Sequence, residues 1–124
     1  MVVLTEFYHV RGIRGATTVE ANEPSAIYEA TAELLAAMVE ENKLDSKSIA
    51  AVFFSATPDL NAAFPAKAAR NMGWSEVPLF CASEINVPGA LPACIRVMLM
   101  VNTDLTQAQV KHVYLKKAVN LRDT

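Results

Sequence analysis

The segment "CIRVMLMV", Cys94 to Val101, constrains the fold more than any other stretch of the chain. Successive side chains of a β-strand point to opposite faces, so Ile95, Val97, Leu99 and Val101 share one face while Cys94, Arg96, Met98 and Met100 share the other. Both faces read as buried, which places this strand inside a sheet covered on both sides. Arg96 interrupts the apolar run. A guanidinium stays charged and must find an anion or hydrogen-bond acceptors there.

The remaining elements fit around this strand. A first strand is expected over roughly Tyr8 to Val19, containing "RGIRGATTVE". A clear helix follows in "ANEPSAIYEATAELLAAMVEENKL", with Asn22 or Glu23 near the cap and Pro24 in the first turn. Its Ile27, Thr31, Leu34, Leu35 and Met38 form one stripe of a 3.6-residue period. "IAAVFFSA" suits a buried strand, broken by "TPD" before a second helix around "FPAKAARNMGW", with Pro65 at its start and Gly73 at its stop. "VPLFCASE" reads as a third strand, "NVPGALP" as a loop and "ACIRVMLMV" as the fourth strand. A short helical turn near Thr106 to Val110 precedes "KHVYL", the fifth.

This alternation predicts an α/β or α+β domain with helices over one face of the sheet. Two helices cannot cover both faces of five strands, so the uncovered face predicts self-association through a surface resembling a cut core.

Composition narrows the function. A chain of 124 residues that is 52% hydrophobic suits one domain, residues 1–124. Eleven Lys and Arg against thirteen Asp and Glu give a net charge of −2, which offers no general basic surface for nucleic acid or an anionic membrane. Cys81 and Cys94 stand in apolar contexts without a metal-ligand pattern, so neither zinc nor a disulfide is indicated and a reducing cytoplasm is expected. The N-terminus has no secretory pattern, and no segment approaches the ~18 apolar residues of a membrane span.

Arg96 is the first candidate site residue, with a structural arginine–carboxylate pair as the plain alternative. Arg11 and Arg14, three apart on a strand, face opposite ways. Gly12 and Ala16 leave the surface beside Arg14 open, so two buried arginines facing one cavity would form an anion site. Glu84 either closes its strand or accepts a hydroxyl hydrogen bond, and Tyr114 is either packed or presents its phenol. Lys67 and Arg70 share a helix face, as a solvated basic patch or as part of the site. No nucleophile elbow, phosphate loop or metal constellation is present, and His9 and His112 show no relay partner. The inventory suits electrostatic stabilisation of an anionic substrate.

Taken together, "RGIRGATTVE", "SATPDLNAAFPAKAAR", Cys81-x-x-Glu84, "CIRVM" and "KHVYL" resemble the monofunctional chorismate mutases of the small trimeric α/β class, from about Arg11 to Arg122. The resemblance implies a mixed five-stranded sheet with helices on its outer face, a trimeric pseudo-α/β-barrel, and active sites between subunits. It implies rearrangement of chorismate to prephenate, on the way to phenylalanine and tyrosine, with no cofactor and no metal. Arg96 would then meet the breaking ether oxygen and Arg14 a substrate carboxylate, with Glu84 and Cys81 at the ring hydroxyl and Tyr114 at a carboxylate. Arg11 would be a structural or surface residue. Phe64, Lys67 and Arg70 would come from the adjacent subunit, and Leu121 and Arg122 from a tail over residues 116–124 that packs near the pocket. About ten residues precede the matching strand, and the tail reads "LRDT" where the family commonly has L-R-P-D-L. The competing readings are a trimeric imine or enamine deaminase and a trimer that binds a metabolite without turning it over.

Overall fold

A computed structural model describes residues 9–123, apart from the side chains of residues 122 and 123. The strands are β1 (His9–Thr18), β2 (Ile49–Ala56), β3 (Leu79–Ser83), β4 (Cys94–Thr103) and β5 (Val113–Tyr114); the helices are α1 (Pro24–Asn42) and α2 (Ala66–Asn71). One sheet orders them β3-β2-β4-β1-β5. The apolar β4 takes the centre, antiparallel to β1 and β2, while β3 and β5 run parallel to those two at the edges. The expected mixed five-stranded α/β sheet is present. Of the segment expected to precede it, residues 1–8 lie outside the described residues, whereas His9 and Val10 belong to β1.

α1 starts where Pro24 supplies a preset φ and lacks the N–H that a first turn cannot use. Glu23 caps it without a side-chain bond; the Asn22 carboxamide instead accepts from the N–H groups of Asn61 and Ala62 at 3.1 and 3.0 Å, joining the helix start to the loop after β2. The stripe Ile27, Thr31, Leu34, Leu35 and Met38 is buried as the period required. It packs on Ile13, Val52, Phe54, Ile95, Val97, Leu99 and Val101 from the sheet, with Trp74 and the small face of α2 closing one side. Each large apolar side chain buried here contributes on the order of 1.5–3 kcal/mol. Gly15 lets α1 approach: a Cβ there would run into the Met38 thioether and crowd the Leu34 side chain at 3.1 Å. The helix ends at Lys43 in the left-handed region (φ 51°), with the Leu44 N–H donating to the Val39 carbonyl at 3.0 Å.

Several elements are shorter than expected. α2 spans six residues, β3 five and β5 two, and residues 106–110 make one turn closed by the Val110 N–H on the Thr106 carbonyl at 3.3 Å. The tail Lys116–Asp123 winds as a 3₁₀ segment that no sequence signal announced. Its Ala118 packs on Ala16 and Cys94.

Within the single chain β4 is covered on one face only, as expected of a sheet whose second face the helices cannot reach. Ile95, Val97, Leu99 and Val101 are buried under the helices, and Cys94 lies under the tail. Arg96 is exposed and Met98 and Met100 are half-buried, so this face stays open within one chain.

Candidate active site

The strand register builds the open face row by row. One row across the sheet is Ala82, Ser55, Arg96, Ala16 and Tyr114; the next is Phe80, Phe53, Met98 and Arg14. Together they line a cavity of about 510 Å³ whose margin includes Leu121 from the tail. Arg14 and Arg96 thus face one cavity as expected, but both are exposed in the single chain rather than buried. The small Ala16 beside Arg14 forms part of the floor. Arg11 points the other way, its Nε donating to the Leu105 carbonyl at 2.9 Å, which is a structural role.

Glu84 follows β3 and is anchored there by its N–H on the Ala56 carbonyl at 2.9 Å. Its Oε2 accepts from the Ser55 hydroxyl and lies 3.8 Å from the Arg96 Nε. The arginine–carboxylate pair therefore exists, at the edge of a cavity that holds a second arginine. The pair engages Arg96 through Nε. A second cavity of about 860 Å³ adjoins the first under the 85–92 loop; it shares Arg96 and Leu121 with the first and adds Glu84 to its lining.

The start of β4 is held by its own device. Ala93 sits at φ 50°, an unfavourable region for a residue with a Cβ. Its N–H donates to Asp59 Oδ2 at 2.8 Å and its carbonyl accepts from Val19 N–H at 2.8 Å. The Thr57 hydroxyl is the main cause that lowers the Asp59 carboxyl below its usual 3.8; a slight loss of hydration opposes this and the Ala93 N–H adds to it. Burial pushes the Cys94 thiol up, against the pull of the nearby Arg96 guanidinium.

Four candidates sit elsewhere. Cys81 shares its row with Phe54 and Val97 and packs on the helix-side core, so its thiol points away from the cavity that its neighbours Phe80 and Ala82 line. Phe64, Lys67 and Arg70 are exposed at and before α2 and do not line the cavity of their own chain; Lys67 Nζ lies 5.9 Å from the Tyr28 ring. The side chain of Arg122 lies outside the described residues. His112, set aside in the sequence for want of a relay partner, accepts the Arg14 N–H through Nδ1 at 2.9 Å. Among the described residues no group of His, Cys, Asp and Glu is placed to hold a metal ion.

The arrangement can clamp an anion between two cations and present one oriented carboxylate. The family model for chorismate mutase type I matches residues 10–124. A chorismate mutase AroH of Thermus thermophilus is 55% identical over 114 residues, covering 91% of this chain and 93% of that one. The AroH of Bacillus subtilis is 50% identical over 114 residues, covering 91% and 90%. Among solved structures, a chorismate mutase from Clostridium thermocellum superposes with a TM-score of 0.85 at 52% identity, covering 86% of this chain and 96% of that one. With the sheet, the paired arginines and these matches in agreement, the chain belongs to the type I chorismate mutase family.

Proposed function

We propose that this chain rearranges chorismate to prephenate in the cavity lined by Arg14, Arg96 and Tyr114, a step toward phenylalanine and tyrosine. The observation that carries the reading is the pair of arginines on adjacent rows of one open sheet face, beside a carboxylate already oriented by Ser55. The reaction is unimolecular and moves no proton through the protein. What accelerates it is a compact substrate conformation and charge placed where the C–O bond breaks.

In this reading Arg96 is set by Glu84 at Nε and offers its terminal nitrogens to the ether oxygen as negative charge grows. Arg14 and Tyr114 hold a carboxylate, and Glu84 accepts from the ring hydroxyl and faces the ring as it gains positive character. A contact from Cys81 comes from its main chain. The bonds from Val52 N–H to Pro78 and from Glu84 N–H to Ala56 give β3 a phase in which Cys81 directs its N–H and carbonyl to the open edge.

The assembly belongs to the same reading. Phe53 and Phe80 meet edge to face on the open side while 46% and 61% exposed, and Phe64 is 76% exposed. A second and third copy would cover this face and bring Phe64, Lys67 and Arg70 to the rim of a neighbour's cavity, with Leu121 and Arg122 at its mouth. No helix among the described residues is long and apolar enough to cross a membrane, and the two free thiols suit the cytoplasm. Neither a cofactor nor a metal has a part in this chemistry. The family match leaves a deaminase without support.

The deciding experiment follows chorismate absorbance with the purified protein and identifies prephenate after its acid conversion to phenylpyruvate. Prephenate well above the uncatalysed background is the expected result. Persistence of chorismate with a folded protein present would leave the binding-only trimer as the better reading.

A further inference from the structure

β5 pairs with β1 over two residues only, Gly15 with Val113 and Ala16 with Tyr114, yet it carries Tyr114 into the cavity. The Leu115 N–H on the Ala16 carbonyl at 2.9 Å sets the phase of this parallel ladder. One step further along, the Arg14 N–H would meet the Lys111 carbonyl. That carbonyl is turned elsewhere. It accepts from Nδ2 of the buried Asn42 at 2.8 Å, while the Lys111 N–H donates to Asn42 Oδ1 at 2.7 Å. Asn42 is itself tied to the Met38 carbonyl at 2.9 Å, so the end of α1 fixes the approach to β5.

The imidazole of His112 takes the vacated place and accepts the Arg14 N–H through Nδ1. Two residues earlier the same strand edge is served by another side chain, as the Gln107 carboxamide bonds the Gly12 N–H and carbonyl at 3.0 and 2.6 Å. We propose that His112 is a positioning residue: by holding the Arg14 N–H it sets β5 against β1, and so the separation of the Arg14 guanidinium from the Tyr114 phenol. This rests on the reading of those two groups as the substrate's carboxylate clamp. As an acceptor at Nδ1, the ring is neutral and carries its hydrogen on Nε2. One such bond is small beside the stability of the fold, but a clamp that shifts by a fraction of an ångström loses much of its effect.

The test compares His112→Asn, His112→Gln, His112→Ala and Arg14→Ala in the intact protein, measuring kcat and KM for chorismate and the exchange rate of the Arg14 amide. Asn carries an acceptor near the Nδ1 position, whereas Gln carries one near Nε2. The Ala and Gln variants are expected to lose about five- to tenfold in kcat/KM, mainly through KM, and to exchange the Arg14 amide faster. Asn restores both to within about twofold of the parent. Ala and Gln variants with parental kinetics beside a crippled Arg14→Ala overturn the proposal and leave the site reading standing. An unimpaired Arg14→Ala overturns both. A lowered melting temperature with unchanged KM also overturns the proposal, because it assigns His112 to folding alone. Should the variants fail to fold, nitrogen NMR of the unaltered protein decides: an Nε2–H tautomer supports the proposal, and a hydrogen on Nδ1 overturns it.

Discussion

At the scale of the residue, an arginine in an apolar strand has two explanations, and this chain unites them. Arg96 is paired with Glu84 and opens on the cavity that holds Arg14. Replacing it with Ala should reduce kcat by at least the ~2.7–4 kcal/mol typical of one preorganised donor while the far-ultraviolet circular dichroism stays unchanged. A folded Arg96→Ala enzyme of full activity would contradict its role at the ether oxygen. Asp59 tests the support beneath Arg96. Its folded pKa lies below the ordinary value, so its ionised form adds stability that is present above about pH 4 and is lost as pH falls through the lowered value. Asp59→Asn should therefore melt below the parent at pH 7 by less than about 1 kcal/mol, the group being exposed, and converge with it in acid. A gap that persists at pH 3 would refute the charge as its cause. The convergence of Arg14 and Arg96 on one cavity, and a carboxylate partner for Arg96, were legible because charge is conspicuous on apolar strands. The spacing Cys81-x-x-Glu84 drew attention, and strand alternation over three residues sends the two side chains opposite ways. His112 was passed over because its partner is a main-chain N–H across a separation of 98 residues, which no side-chain pattern announces.

At the scale of the element, burial on one face decided what could be read. β2 spans Ile49–Ala56, the span of its apolar run, and α1 buries the stripe that its period announced. β5 and the tail were harder, because two paired residues and a polar 3₁₀ segment are held by contacts distant in sequence rather than by a pattern of their own. The junction of α1 and β1 is sharply defined. Gly15→Ala forces the Met38 thioether to move within a full core, and a loss of about 1–3 kcal/mol in denaturant unfolding is expected. Combining it with Met38→Ala should give less than the sum of the two separate losses. Strict additivity would show that the glycine serves something other than helix approach.

At the scale of the whole molecule, the sheet is finished on one side and open on the other. A mass in solution of three times the 13.5 kDa chain is expected. Subunit complementation gives a sharper test. Arg96→Ala and Arg70→Ala chains, each inactive alone, should on co-expression regain activity in about one site in four, where an intact Arg96 and an intact Arg70 meet across an interface. Mixtures no better than their parents would place each site within one chain. The strand edges add a last consequence. Gln107, His112 and Leu115 occupy the outward groups of Gly12, Arg14 and Ala16, whereas β3 turns the N–H and carbonyl of Cys81 to its open border. With β1 blunted in this way, edge-to-edge joining has one place to begin and no second place from which to propagate, so a stray encounter between nascent chains stops at a pair instead of growing into a fibril.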